Sequence, residues 1–296
     1  MLVTVFTPVY NRAYIITRLY ESLCRQTCKD FEWVVVDDGS TDNIDELMHK
    51  FIEEKKIEIR YFKQPNGGKH RAINHGAQEA YGEMFFIVDS DDYLTSDAIE
   101  FINENSDPII NDGRFAGISG IRIRPDMSPI AYGFKDSEII STYIGLRFIY
   151  GIKGDLAEIY KTSVLREFCF PEIETEKFCP EALVWYRIAK SGYKIKFYNK
   201  GLYMCEYLPD GLTANMVKVR RQAPLTMMIH YSERATMPIP LKDRFRAVIN
   251  FWRFARIQKI IDKRINISYF LVIWTPLLFP LSLWIRFNDN IHLKSN

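Results

Sequence analysis

The sequence predicts an α/β fold built on a doubly wound, mostly parallel sheet with helices on both faces. Between residues 2 and 88, short apolar segments alternate four times with segments whose apolar residues recur at helical spacing. Such alternation is typical of strand–helix–strand units, which pair their strands in parallel. Acidic residues, glycines and a lysine follow the strand segments directly, where open α/β sheets bind their ligands.

The predicted elements follow one another closely in this first part. Four short segments have the apolar or alternating pattern of strands, and they are 2–6, 33–37, 57–62 and 84–88. Three helices are predicted between them from apolar residues at helical spacing. These residues are Ile15, Ile16, Leu19, Leu23 and Cys24, then Ile44, Leu47, Met48, Phe51 and Ile52, and then Ala72, Ile73 and Ala77 within 69–80.

The pattern changes after residue 105, where irregular stretches separate the elements. We predict strands at 114–123 and 156–160, a helix over 180–191, a hairpin over 194–207 turning near Lys200-Gly201, and a basic helical region over 213–263. The expected organisation is a domain over 1–212, divided into 1–105 and 106–212, and a helical C-terminal region over 213–296.

An uncharged apolar segment occupies 267–284, between Lys263-Arg264 and Arg286. Its length is at the lower limit for a membrane-spanning helix, and Pro276 and Pro280 are expected to interrupt it. An interfacial or re-entrant segment at an anionic lipid surface is therefore the preferred prediction. The alternative is a C-terminal helix packed on the rest of the chain or on a second copy, so the oligomeric state stays open.

Composition sets broad limits on partners and compartment. The net charge of +2 indicates no particular partner, and the five cysteines have no zinc-site spacing. We expect no nucleic acid partner. We expect reduced thiols in a cytoplasmic protein, without a cleavable signal peptide.

Three carboxylates, Asp89, Asp91 and Asp92, directly follow the apolar run 84–88. Acids crowded at the end of a buried strand repel one another, and a hard divalent cation that also grips a diphosphate would hold them together. The alternative is an acidic turn that caps the next helix.

Other candidate ligand residues follow the remaining strands. They are Thr7, Pro8, Tyr10 and Arg12 after the first, Asp37 and Asp38 after the second, and Gly67, Gly68 and Lys69 after the third. An aromatic ring suits a nucleobase, a carboxylate suits a ring N–H or a ribose hydroxyl, and glycines before a helix suit a phosphate. Each also has an ordinary explanation as a turn, a cap or packing, and no P-loop or GxGxxG pattern is present.

The order TPVYNR, VVVDDGSTD, NGGKHRAINHG and FFIVDSDD resembles the family 2 glycosyltransferases of the GT-A fold. The resemblance is looser at 170–189 and 206–215. It implies a nucleotide-sugar half over 1–105 and an acceptor half over 106–212. It also implies inverting transfer of a sugar from a nucleoside diphosphate to a hydroxyl. We expect a UDP-sugar as the preferred donor and a carbohydrate or lipid-linked glycan as the acceptor. The apolar segment 267–284 predicts a location at the inner face of the membrane.

The resemblance also implies roles for single residues. Asp89 and Asp91 match the metal-binding DxD pair, with Mg²⁺ or Mn²⁺ as the cofactor. The donor-binding set is Thr7, Pro8, Tyr10, Arg12, Asp38, Gly68, Lys69, Asp89 and Ser90. Glu181 matches the catalytic base, although Ala182 replaces the second acid of the family's pair. Glu174 and Glu176 are reserve bases, and Asp92 and Trp185 are acceptor candidates, with core packing the alternative for Trp185.

Two other functions remain open from the sequence. A sugar nucleotidyltransferase would share the fold class, but TPVYNR lacks the glycine-rich loop expected after its first strand. A nucleotide-sugar-binding protein without catalysis would explain Ala182.

Overall fold

The computed structural model describes residues 1–206, 216–255 and 262–292. The chain forms two compact units, Met1–Phe170 with Arg187–Tyr207, and Pro171–Tyr186 with Leu208–Asn296. The segment from Pro171 to Tyr186 therefore groups with the C-terminal helices. Residues 207–215 and 256–261 lie outside the described residues, and so do the predictions made for them. These include most of the looser resemblance at 206–215.

The first unit contains the sheet. Its elements are β1 (Val3–Val9), α1 (Thr17–Cys24), β2 (Phe31–Asp37), α2 (Ile44–Glu53), β3 (Glu58–Lys63), α3 (Lys69–Glu79), β4 (Met84–Ile87), β5 (Tyr93–Leu94), α4 (Ala98–Ile110), β6 (Phe115–Ile123), β7 (Glu138–Ser141), α5 (Tyr143–Phe148), β8 (Leu156–Lys161), α6 (Thr162–Glu167) and β9 (Lys194–Met204). The helix α7 (Ala182–Lys190) spans the boundary between the units. The strands and helices predicted before residue 105 are confirmed.

Nine strands form one mixed sheet in the order β3-β2-β1-β4-β8-β6-β9-β5, with β7 also paired to β9. The first four strands are parallel, as expected; Val5, for example, pairs with Trp33 on one side and Phe86 on the other. Beyond them the sheet is mixed, because β8 runs antiparallel to both β4 and β6. The predicted α/β fold class is confirmed, and the parallel pairs of the sheet are those of the first four strands and that of β6 with β9.

The predicted hairpin at 194–207 is wrong. Residues Lys194–Met204 form the single strand β9, which pairs with β6 in parallel. The register shifts where Ser119 pairs with Phe197 and Ile121 with Gly201, so β9 bulges at the Lys-Gly pair. Glycine favours a bulge as well as a turn, and the sequence alone does not distinguish the two.

The two faces of the sheet bury different helices. Val3, Val5, Trp33, Met84 and Phe86 belong to a core cluster that includes α1, α2 and α4 residues. On the opposite face, the rings of Phe6 and Phe85 stack with centroids 5.0 Å apart. A Cβ at Gly76 of α3 would lie 2.1 Å from the Phe6 ring. Close contact of α3 with β1 thus fixes where this helix begins at the sheet edge.

The second unit is helical in its described part. It contains α8 (Met216–Arg221), α9 (Pro224–Arg234), α10 (Leu241–Ala255) and α11 (Tyr269–His292). The Trp252 indole donates a 2.7 Å hydrogen bond to the Thr275 hydroxyl, which ties α10 to α11. The expected interruption of 267–284 does not occur, because α11 continues through Pro276 and Pro280. Each proline removes one backbone donor, and the neighbouring turns maintain the helix.

Candidate functional site

The candidate site lies at the edge of the sheet where β1, β2, β4, β6 and β9 end. Two loops are joined there by hydrogen bonds across the chain. The Asn11 amide N–H donates to Ser40 Oγ over 2.9 Å, and the Thr41 N–H donates to Asn11 Oδ1 over 2.8 Å. The Ala13 N–H donates to Asp42 Oδ2 over 2.9 Å. The loops after β1 and β2 therefore form one surface.

Asp38 organises the loop between β3 and α3. Its Oδ1 accepts from the Gly67 N–H and Gln64 Nε2 over 2.8 and 2.7 Å. Its Oδ2 accepts from the Gly68 N–H and Asn66 Nδ2 over 2.7 and 3.3 Å. Four donors occupy the acceptor positions of this buried carboxylate. The structure thus gives Asp38 a positioning role, and the predicted contact with a base or ribose would require one of these donors to leave.

Two glycines allow this loop to approach the neighbouring one closely. Gly39 has φ +79°, and a Cβ there would lie 2.7 Å from the Asn66 amide nitrogen. Gly68 has φ 95° and directly precedes α3. The loop therefore leads directly into the first turn of α3, and a helix start of this kind favours anions.

Five side chains form a charged cluster at the end of β4. Lys69 Nζ lies 2.5 Å from Asp89 Oδ1. Arg122 Nη1 lies 3.6 Å from Asp89 Oδ2 and 3.7 Å from Asp92 Oδ2. The Tyr203 hydroxyl donates to Asp92 Oδ2 over 2.7 Å and accepts from the Asp89 N–H over 2.9 Å. Asp92 is thereby held inside the protein, which does not favour its predicted contact with an acceptor.

The pKa values of the three carboxyls diverge in this cluster. Burial raises the pKa of Asp89, but Lys69 and Arg122 outweigh it and the net shift is downward. Burial and then the charge of Asp89 raise the pKa of Asp91. The same two causes raise the pKa of Asp92 to about 7. Additional positive charge would therefore stabilise the ionised form of Asp91 and Asp92.

These residues fit a hard divalent cation. Asp89 and Asp91 offer carboxylate oxygens, the ligands that Mg²⁺ and Mn²⁺ prefer, and burial and then the charge of Asp89 raise the pKa of Asp91. Among the described residues, no three His, Cys, Asp or Glu side chains form a ready-made metal cage. A cation held here would take its other ligands from a bound diphosphate and water, as Mg²⁺ commonly does.

The other predicted donor residues differ in their accessibility. Thr7 is fully buried, and its hydroxyl accepts a 2.9 Å hydrogen bond from the Trp33 indole. Tyr10 is half exposed, and Arg12 donates to the Tyr14 hydroxyl over 3.2 Å. Pro8 is partly buried, and Ser90 is buried. Among the predicted donor residues, Tyr10 therefore offers an exposed ring for a nucleobase.

The second unit contains the predicted base candidates. Glu181 is partly buried and directly precedes α7, where the Val184 N–H donates to its carbonyl over 3.0 Å. Glu176 is buried and accepts from the backbone N–H groups of Leu225 and Thr226 and from the Thr226 hydroxyl. Glu176 thus caps α9 and is not available as a base.

The predicted role of Trp185 as a platform for an acceptor sugar is also not supported. Its ring is only 3% exposed, which matches the alternative of core packing.

Sequence reasoning missed Arg122 and Tyr203. The two residues are a registered pair at the carboxyl ends of β6 and β9, and the guanidinium lies 4.1 Å from the centre of the tyrosine ring. An arginine inside the apolar strand segment 115–123 was a signal of a buried ion pair, because unpaired buried charges are costly. Its partners could not be identified before the register was known.

The model of the family described as Glycosyl transferase family 2 matches residues 4–145. Over 177 residues the chain is 31% identical to the poly(ribitol-phosphate) beta-N-acetylglucosaminyltransferase TarS of Staphylococcus aureus, covering 57% of this chain and 29% of TarS. It is 35% identical over 136 residues to a chondroitin synthase of Pasteurella multocida, covering 45% of this chain and 14% of that one. The chain therefore spans less than a third of the length of these curated relatives.

Solved structures confirm the GT-A fold. The chain matches S. aureus TarS 1-349 in complex with UDP-GlcNAc with a TM-score of 0.62 and 22% identity, covering 86% of this chain and 72% of that one. It matches the mannosyltransferase PcManGT from Pyrobaculum calidifontis, in complex with GDP-Man and Mn²⁺, with a TM-score of 0.57 and 19% identity, covering 86% and 73%.

We predict that Asp38→Asn disorders the loop over 64–68 and destabilises the protein. An amide supplies one acceptor oxygen where the carboxylate supplies two, so the N–H of Gly67 or Gly68 loses its acceptor. The expected loss is about 1.5–3 kcal/mol in the free energy of unfolding, measured in urea. Hydrogen exchange should show faster exchange at these two amides. The exposed Asp107→Asn is the control, and equal stability of the two variants would contradict the positioning role.

Proposed function

We propose that this chain, whose residues 4–145 match the model described as Glycosyl transferase family 2, transfers a sugar from a nucleoside diphosphate to a hydroxyl acceptor with inversion. The observation that carries this proposal is the cluster of Asp89, Asp91 and Lys69 beside the start of α3. Carboxylates suited to a cation and a helix end suited to an anion lie there at one sheet edge.

In this proposal, Asp89 and Asp91 hold Mg²⁺ or Mn²⁺. The bound ion supplies positive charge that offsets the charge growing on the departing diphosphate. Lys69 and the backbone N–H groups at the start of α3 bind the diphosphate oxygens, and Tyr10 lies against the base. Asp38 acts indirectly by fixing the loop from which α3 starts.

A UDP-sugar is the preferred donor, and a GDP-sugar is the second choice to test. The relative TarS was solved with UDP-GlcNAc and PcManGT with GDP-Man, so each nucleotide has a precedent on this fold. The proposed acceptor is a carbohydrate or a lipid-linked glycan.

Glu181 is the proposed general base. Its carboxylate takes the proton from the acceptor hydroxyl while that oxygen attacks the anomeric carbon, and the diphosphate leaves from the opposite face with the bonding electrons. The choice among three glutamates is supported by their surroundings, since Glu176 is committed to α9 and Glu174 is exposed.

We also propose that α11 attaches the protein to the cytoplasmic face of the membrane. Tyr269–Phe287 has a mean hydropathy of 1.6, is 11% buried, and is the one described segment long and apolar enough to span a bilayer. Its exposed face carries Tyr269, Ile273, Leu277, Trp284 and Phe287.

The opposite face of α11 favours a helix lying in the interface rather than spanning the bilayer. That face packs on α10, whose Arg244 lies over the Phe270 ring at 3.7 Å. The charged residues of α10 are costly in a hydrocarbon core but suit the headgroup region, and the exposed Lys263 and Arg264 before α11 suit anionic lipid.

We predict that Asp91→Asn lowers sugar transfer from a UDP- or GDP-sugar by about 100-fold or more, because the cation loses a charged ligand. Transfer is measured with Mn²⁺ and a panel of glycan acceptors. Thermal stabilisation by nucleotide plus Mn²⁺ should also be lost. The exposed Asp136→Asn is the control and should retain both properties. Equal transfer by Asp91→Asn and the unaltered protein would remove the metal role.

Glu181→Gln is expected to lower kcat by about 100- to 10,000-fold, because glutamine cannot accept the acceptor's proton. The Kd for the donor nucleotide should change little, as measured by calorimetry. Glu174→Gln should leave kcat near normal, whereas Glu176→Gln should lower the unfolding temperature through the loss of its contacts with α9. A full kcat in Glu181→Gln would reject this base assignment.

We predict that Ile273→Glu combined with Leu277→Glu weakens binding to anionic vesicles by at least ~10-fold. Each aliphatic side chain that becomes buried in lipid contributes about 1.5–3 kcal/mol to the free energy of binding. Co-sedimentation with phosphatidylglycerol vesicles provides the measurement, with phosphatidylcholine vesicles as the low-charge comparison. Ile149→Glu changes an exposed residue of the first unit and is the matched control. A stable dimer in light scattering, with no vesicle binding by the unaltered protein, would assign this face to a second copy.

A further inference from the structure

Asp89, a proposed metal ligand, is in contact with two internal cations. The Lys69 ammonium lies 2.5 Å from Oδ1, and the Arg122 guanidinium lies 3.6 Å from Oδ2. A metal ion on Oδ1 and an ammonium on the same oxygen would lie a few ångströms apart and repel each other. Binding of a metal therefore requires one of these contacts to change.

The two cations differ in how firmly they are held. Arg122 is 16% exposed, its Nε donates to the Leu156 carbonyl over 2.9 Å, and its guanidinium lies over the Tyr203 ring. Rotation of Arg122 would break all of these interactions. It is therefore the fixed partner of the cluster.

The Lys69 ammonium can also reach a second anionic partner. It is the first residue of α3, directly after Gly68, and it carries its ammonium on a flexible four-carbon chain. The proposed diphosphate position at the start of α3 is therefore within reach of the residue that now pairs with Asp89. A diphosphate there would replace the carboxylate as the partner of the ammonium.

We propose that Lys69 exchanges partners when the donor binds, and so makes metal binding depend on the nucleotide. Without donor, Lys69 neutralises Asp89 and competes with the metal. With donor, the diphosphate takes Lys69 and leaves Asp89 to the metal. This inference rests on the proposed function, because it assumes that a metal and a nucleoside diphosphate share this edge.

The exchange predicts a specific linkage between the two ligands. Metal alone binds weakly, and UDP strengthens it, with an equal effect of the metal on UDP by reciprocity. A lysine that only bound phosphate would affect nucleotide affinity but would not hold back the metal. The affinity for metal alone therefore separates the two roles.

The test measures Mn²⁺ binding by electron paramagnetic resonance and calorimetry, with and without UDP, for the unaltered full chain and Lys69→Met. We expect Lys69→Met to bind Mn²⁺ alone about 10-fold more tightly and to bind UDP more weakly in the presence of Mn²⁺. Lys63→Met is the matched control, because Lys63 ends β3 and pairs with a different carboxylate, Asp45, at 3.0 Å. It should change Mn²⁺ affinity by less than ~3-fold. Melting curves of all three proteins establish that each is folded.

Two outcomes overturn the inference in different ways. Equal affinity of the unaltered protein and Lys69→Met for Mn²⁺ alone would reject the exchange while leaving the proposed transferase intact. Failure of the unaltered protein to bind Mn²⁺ even with UDP or GDP would reject the metal role itself, and the exchange with it.

Discussion

Charge balance at the carboxyl end of β4 is the constraint on which the site depends. The acids come from the parallel half of the sheet, but Arg122 and Tyr203 come from β6 and β9. Because β8 is antiparallel to both β4 and β6, the carboxyl end of β6 returns to the same edge as that of β4. The backbone carbonyl of Leu156, the first residue of β8, fixes the guanidinium. Arg122 of β6 thus lies at the same edge as the acids, and the intervening antiparallel strand β8 supplies the carbonyl that holds it.

Preorganisation of the anion-binding end depends on a different carboxylate. Asp38 uses both oxygens to hold the turn before α3, and Gly76 lets α3 lie directly against Phe6. Packing against Phe6 and the hydrogen bonds to Asp38 therefore fix the position at which α3 starts. A helix end held in this way presents its N–H groups without an ordering cost when a phosphate binds.

Local patterns in the sequence predicted the part of the structure that local interactions determine. The alternation before residue 105 gave the parallel strands, and Asp89, Asp91 and Lys69 lie together as expected because they follow strands of one parallel set. The register between strands distant in the sequence could not be predicted from such local patterns. Arg122 and Tyr203 become partners only through β6–β9 pairing, and the Lys200-Gly201 pair forms a bulge in that same pairing rather than a turn. The role of Glu176 was equally hidden, because its partners lie about 50 residues further along the chain.

The charges of the cluster explain why a metal and a diphosphate belong together at this edge. Three carboxyl groups lie beside two cations, Lys69 and Arg122. Burial, and after it the charge of Asp89, raises the pKa of Asp91 and of Asp92. A divalent ion alone would compete with Lys69 for Asp89, and a diphosphate alone would add negative charge beside these acids. When the divalent ion and the diphosphate bind together, the charge of the metal lies between the carboxylates and the phosphate oxygens. Lys69 can then pair with the phosphate. The charge balance of this cluster therefore disfavours either ligand by itself.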